Sequence, residues 1–258
     1  MNFTYLSKTV SIKTVKEEAK YGVFEVEGLF AGYGLTIGNA LRRTLLSSLP
    51  GAAVTEIKIK NVSHEFSTLP GVKEDMVELS LNFKKIRFRM VVDEPQILKL
   101  KIKGEKVVTA GDIEANSNVE IVNPEEILAH LTSKSAELDV EVSVQRGLGY
   151  SAVESRKEEE KLAIGTIAID AFFSPVTKVS YSVENMRVGD RTDYNRLTLE
   201  IYTDGTISPS AALHKSSNVL LDHFKAISEV SIQDFEEAKP EEKSKKKATS
   251  KKAKKEEE

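Results

Sequence analysis

The chain has no cysteine, no tryptophan and only four histidines, and no apolar run approaches the length of a membrane span. Without cysteine there is neither a disulfide nor a thiolate metal site, which fits a reducing compartment. His64, His130, His214 and His223 are scattered, with no H-E-x-x-H pair among them. No D-x-D-x-D cluster suggests a two-metal site, and no serine is framed as G-x-S-x-G. Acidic pairs such as Glu74–Asp75 read as helix or loop surface. The first ten residues, MNFTYLSKTV, lack the basic-then-apolar order of a signal peptide. These absences leave no catalytic constellation, no cofactor or metal site and no membrane partner, and the cytoplasm is the expected location.

What remains is long enough for one large core or two moderate ones, at 258 residues. The net charge of −3 is unevenly spread: residues 239–258 hold nine lysines and five glutamates, so a tail of +4 follows a body of −7. That tail is low in complexity and cannot bury enough apolar surface to fold. Its lysines could neutralise nucleic-acid phosphates without sequence preference, or could simply keep the chain in solution.

The body reads as α+β. Strands are expected at 21–26, 54–62, 87–92, 97–108, 138–145, 178–183 and 196–202, several alternating apolar and polar residues as half-wet antiparallel sheets do. Helices are expected within 29–51 and at 72–86, 123–132 and 208–228. In 72–86 the residues Val72, Met76, Leu79, Phe83 and Ile86 form one stripe. Segment 123–132 has Asn123 as N-cap, Pro124 after it and Glu126 at the capping-box position, which puts His130 near a helix C-terminus. Residues 154–161, ESRKEEEK, read as a charged surface loop.

The stretch LFAGYGLTIGNALRRTLLSSLPG raises the question of a phosphate site. Gly32, Gly34 and Gly38 spell G-x-G-x-x-x-G, one residue longer than the dinucleotide fingerprint, and no GK[ST] follows. A strand leading into a helix keeps an anion site conceivable, against glycines that merely let the strand enter the helix tightly. Along that helix Ile37, Leu41 and Leu45 share the core face with Thr44, Ser48 and Leu49. Leu46 lies off it beside Asn39, Arg42 and Arg43, which suits either a contact surface or an ordinary solvated flank. Helix 208–228 opens on Ser208 and Pro209, and its apolar arc, Leu213, Leu220, Leu221, Phe224 and Ile227, is broad. Such an arc can pack within one chain or against a second copy.

The segments GLTIGNALRRTLLSSLPGAAVTEIKI, HEFSTLPGVKEDMVELSLNFKKI, VEIVNPEEILAHLT, VEVSVQRGLGY and AIDAFFSPVTKVSYSVENMRVGDRTDYNRLTLEIYTDGTISP together resemble the alpha subunits of bacterial and plastid RNA polymerases over residues 1–233. The resemblance implies a dimerisation subdomain from 1–50 plus 174–233, an insertion at 51–173 that meets the large subunits, and a disordered tail at 234–258. It implies a homodimer formed through the helices near 34–48 and 208–228, with Ile37, Leu41, Leu45, Leu213, Leu220, Phe224 and Ile227 at the interface. Arg43, Leu46, His64, Gly71 and Lys84 match the positions that contact beta. Ser174, Pro175, Arg187 and Arg191 match those associated with beta-prime. The implied role is a non-catalytic scaffold on which beta, then beta-prime, assemble to transcribe DNA from ribonucleoside triphosphates. The catalytic Mg²⁺ would belong to beta-prime, and omega and sigma would complete the holoenzyme. The location implied is the bacterial cytoplasm at the nucleoid, or a plastid stroma.

Two departures qualify this. RGLGY carries Leu148 where relatives usually have a second basic residue, which puts a polar role for that loop in doubt. The lysine-rich tail stands where a linker to a DNA-binding carboxy-terminal domain would begin; the sequence lacks that domain, so its mode of promoter recognition is expected to be missing and DNA to be met indirectly or through the tail. A nucleotide-binding enzyme, the remaining class, rests only on the glycines.

Overall fold

A computed structural model describes residues 10–62, 64–114, 116–157 and 165–230. In chain order the elements are β1 (Ser11–Glu17), β2 (Tyr21–Leu29), α1 (Tyr33–Ser47), β3 (Pro50–Ile59), α2 (Met76–Lys84), β4 (Phe88–Met90), β5 (Gln96–Lys103), β6 (Lys106–Thr109), β7 (Val119–Ile121), β8 (Ile127–Leu131), β9 (Glu137–Leu148), β10 (Tyr150–Ser151), α3 (Val153–Lys157), β11 (Thr166–Ala168), β12 (Ala171–Phe172), β13 (Val176–Val188), β14 (Arg191–Thr203) and α4 (Pro209–Ser228). The fold is α+β, with two principal antiparallel sheets of order β1-β2-β14-β13 and β5-β9-β3-β4-β7, β11 pairing with β3.

Each sheet organises its own core. In the first, β14 turns Leu197, Leu199 and Ile201 inward at every second position, against Phe24 of β2 and Leu41 and Leu45 of α1. Helix α1 lies against β13 and β14 because two of its residues have no side chain. A Cβ on Gly34 would stand 2.6 Å from Val183, and one on Gly38 would stand 2.7 Å from Tyr181. These glycines are helical and serve a close helix–sheet approach; only Gly32, at φ 85°, is a turn residue. Helix α4 opens as its sequence indicates, Ser208 Oγ accepting from the Ala211 amide at 3.3 Å with Pro209 in the first turn.

The second sheet buries Ile57, Leu98, Leu100, Leu138, Val140 and Val142 against Met76, Leu79 and Phe83 of α2. Several expectations need correction here. Segment 123–132 is not a helix: Ile127–Leu131 forms β8 and pairs with β6. Its capping signals serve distant partners instead, since Asn123 Oδ1 accepts from the Arg87 amide at 2.7 Å and its side-chain NH₂ donates to Lys85 O at 3.2 Å. The 72–86 helix begins only at Met76, where Asp75 accepts from the Glu78 amide at 2.7 Å. Before it, Val72 bridges to Leu131 of β8. The strand expected over 97–108 is cut at Gly104 into β5 and β6. Of the 154–161 loop, 154–157 lie in α3, and 158–161 lie outside the described residues, as do 231–258.

Candidate assembly surfaces

The N-terminus of α1 holds the answer to the phosphate question. Buried Asn195 of β14 accepts from the Gly32 amide at 2.9 Å and the Gly34 amide at 3.4 Å, and its NH₂ donates to Asn185 at 3.2 Å. The amides that would cradle an anion are therefore already taken by the chain's own side chain. Sequence reasoning missed Asn195 because it lies 163 residues from Gly32.

The outer flank of α1 exposes Leu35, Arg42 and Arg43. Leu46, read from the helical wheel as off the core face, is half-buried and packs against the first core. Among the expected dimer residues, Leu41, Leu45 and Leu213 are covered within the one chain, so they support a contact surface and do not form it. Ile37 and Leu220 are half-buried. The free apolar surface lies further along α4, where Leu221, Phe224 and Ile227 are exposed at 49, 61 and 67 %. The residues that α4 buries, Pro209, Ala212, Leu213 and Ser216, all belong to its first half.

On the insert, His64 sits in an exposed turn beside exposed Phe66, and Gly71 in the segment that runs along β8. That segment is clamped by Glu74, which is buried and not on the surface as its sequence suggests. Its carboxylate lies 2.5 Å from His130 Nδ1 and accepts from the His130 amide at 2.7 Å. Burial pushes the Glu74 carboxyl up, but these bonds outweigh it and hold the group below its ordinary range. His130 is thus a strand residue paired with a carboxylate, and no helix dipole is involved.

Lys84, at the end of α2, lies 3.4 Å from Asp170, whose other oxygen accepts from the Val153 amide at 3.1 Å. The Val153 amide, with help from Tyr150 and Lys84, keeps the Asp170 carboxyl low against its partial burial. Arg156 of α3 reaches back to the Thr55 carbonyl at 3.2 Å and to the Ile169 carbonyl. Neither Asp170 nor Arg156 stood out in the sequence, since both act on residues remote in the chain.

The positions expected to meet beta-prime divide. Ser174 and Pro175 are buried, Ser174 donating to Val176 O at 3.1 Å, so neither offers a free face. Arg187 and Arg191 flank the exposed tip of the β13–β14 hairpin. Arg191 grips Asp193 at 2.6 and 3.0 Å and lies 5.0 Å over the Phe30 ring. Between the two sheets, Arg89 of β4 donates to Thr206 O at 3.1 Å and Gly205 O at 3.3 Å, joining the insert to the turn that precedes α4. Among the described residues no cluster of His, Asp and Glu is placed to hold a metal ion, and no helix is long and apolar enough to cross a membrane.

Residues 57–174 match the family model of the RNA polymerase Rpb3/RpoA insert domain. The chain is 49 % identical over 206 residues to the DNA-directed RNA polymerase subunit alpha of Moorella thermoacetica, covering 80 % of this chain and 65 % of that protein. It is 49 % identical over 212 residues to the alpha subunit of Carboxydothermus hydrogenoformans, covering 82 % and 67 %. To that of Roseiflexus sp. RS-1 it is 50 % identical over 218 residues, covering 84 % and 67 %. The chain belongs to the alpha-subunit family of DNA-directed RNA polymerases. It spans about two thirds of the length of these curated relatives. Within the family frame, the match covers α2 and the second sheet from residue 57 onward, while α1, the start of β3 and the long α4 lie outside it.

Proposed function

We propose that two copies of this alpha-type chain pair through α4 and the neighbouring flank of α1, and that the pair is the platform on which a transcribing polymerase assembles. The supporting observation is the distal half of α4, where Leu221, Phe224 and Ile227 stay largely exposed among the described residues. A helix in a protein draws most of its stability from packing its apolar face, and burying one such side chain contributes about 1.5–3 kcal/mol. Residues 1–50 plus 174–233 then form the dimerising portion and 51–173 the portion that meets the large subunits.

In this reading Arg43, Leu46, His64, Gly71 and Lys84 receive beta. Arg187 and Arg191 receive beta-prime, while Ser174 and Pro175, buried at the opposite end of β13, support that strand from within. The polymerising chemistry and its Mg²⁺ belong to beta-prime, omega and sigma join the completed assembly, and DNA is reached through these partners or the lysine-rich tail. The chain then works wherever that transcription proceeds, in a bacterial cytoplasm or a plastid stroma.

The test is capture of beta by the purified chain. Arg43→Ala should leave the chain's own mass unchanged and weaken capture by about 2–4 kcal/mol, the size of an interface hot spot. Equal recovery of beta by both proteins would contradict the assignment.

A further inference from the structure

A cleft of about 160 Å³ lies at the seam between the insert and the first sheet, beside the bonds from Arg89 to the turn before α4. Phe88, Met90, Pro175 and Ile207 give it apolar walls. Every charged residue in its lining is a cation: Arg89 of β4, Arg146 of β9 and Lys215 of α4.

The three cations are not equally committed. Arg89 already donates to Thr206 O, Gly205 O and Glu120, and so belongs to the frame of the cleft. The Arg146 guanidinium donates only through Nη1, at 2.6 Å to Asp93, a side chain 86 % exposed. A pair with so exposed a carboxylate contributes little and is readily exchanged. Its Nε and Nη2 have no hydrogen-bond partner among the described residues. The Lys215 ammonium has neither a hydrogen bond nor an ion pair among them.

Like charges gathered without a carboxylate repel one another, and walls of low dielectric focus their field, so such a cleft draws an anion from solution. Arginine offers a planar fork and lysine a point charge, the two usual partners of a phosphate oxygen. The volume is below the roughly 300–1,000 Å³ of pockets for drug-sized ligands, too small for a whole nucleotide but roomy for a small oxyanion.

We propose that this cleft binds a small, doubly charged phosphate, held by Arg146 and Lys215 against the fixed Arg89. Because Arg146 belongs to the insert and Lys215 to the first half of α4, the bound ion ties the two parts of the chain together. The site stands apart from the assembly reading, which names none of these three residues.

The test is calorimetric titration of the full chain with inorganic phosphate and, separately, with glycerol phosphate, at a constant ionic strength of about 0.15 M. Binding should be saturable, and phosphate should raise the melting temperature, as a ligand held only by the folded state does. Lys215→Ala and Arg146→Ala should each weaken binding by about tenfold, the effect of losing one charge-assisted hydrogen bond. Without phosphate both should melt as the native chain does; should Arg146→Ala melt lower, Lys215→Ala by itself is read. Lys99→Ala, on the exposed face of β5, should bind phosphate as the native chain does. Tighter binding of inorganic phosphate assigns the cleft to the free ion, and tighter binding of glycerol phosphate to a phosphate monoester; either supports the site. No binding of either at millimolar concentration overturns it. Full binding by a folded Lys215→Ala or Arg146→Ala chain also overturns it, and would place the anion elsewhere, as on the lysines of 239–258.

Discussion

Helices α2 and α4 treat their apolar residues in opposite ways. Met76, Leu79 and Phe83 of α2 are fully covered by β8 and the second sheet, whereas α4 covers only its first half and leaves Phe224 and Ile227 in water. Both helices have apolar stripes of ordinary spacing, so the stripe does not distinguish a self-sufficient helix from one that waits for a partner. What distinguishes them is how far each is covered: α2 buries Met76, Leu79 and Phe83 along its nine residues, whereas every buried residue of α4 lies in the first half of its twenty.

The comparison can be broken with one residue type. Phe83→Ala should destabilise the insert by about 3–5 kcal/mol in denaturant unfolding, as truncation of a fully packed aromatic does. A loss below about 1 kcal/mol would mean that the insert core is not closed as described.

A smaller effect should come from the clamp on the segment before α2. Glu74→Gln replaces a charge-assisted pair with neutral bonds and should cost about 1–2 kcal/mol near neutral pH. The sign with pH follows from the lowered carboxyl. Its stabilisation is present above the unfolded value near 4.5 and is lost as pH falls through the lower folded value. Native protein should therefore lose stability more steeply than Glu74→Gln below that point, in melts recorded across acid pH. Parallel curves would remove the clamp.

The smallest effect on the protomer should come from Phe224→Asp with Ile227→Asp. Measured on the separated protomer, unfolding should change by no more than about 0.5 kcal/mol, because these side chains touch little of their own chain. Two aromatic positions, Phe83 and Phe224, would thus differ several-fold in what they give to the fold.

Much of this division was legible in the sequence. The Ser208–Pro209 opening and the wide arc of α4 are local features, and local features survive folding. The two-residue alternation of β14 likewise carried through. Segment 123–132 misled because Asn123 and Pro124 are good helix openers, yet Asn123 is bonded to residues 85 and 87 and the apolar run after it pairs with β6. Leu46 misled more mildly, since a helical wheel does not show how far a sheet wraps round a helix. The Asp170–Lys84 contact and the Asn195 cap had no local signal at all, as each partner is 86 or more residues away. The glycines of α1 were read as turn residues, and only the position of the sheet explains why Gly34 and Gly38 are needed within the helix.

The central claim is that the uncovered half of α4 is where a second copy sits. Mass measurement of the purified chain at micromolar concentration tests it most directly. The native chain should appear at twice its 28.6 kDa, and the Phe224→Asp, Ile227→Asp chain at 28.6 kDa with its melting preserved. A native chain at 28.6 kDa, or a doubly substituted chain that still doubles, would contradict it.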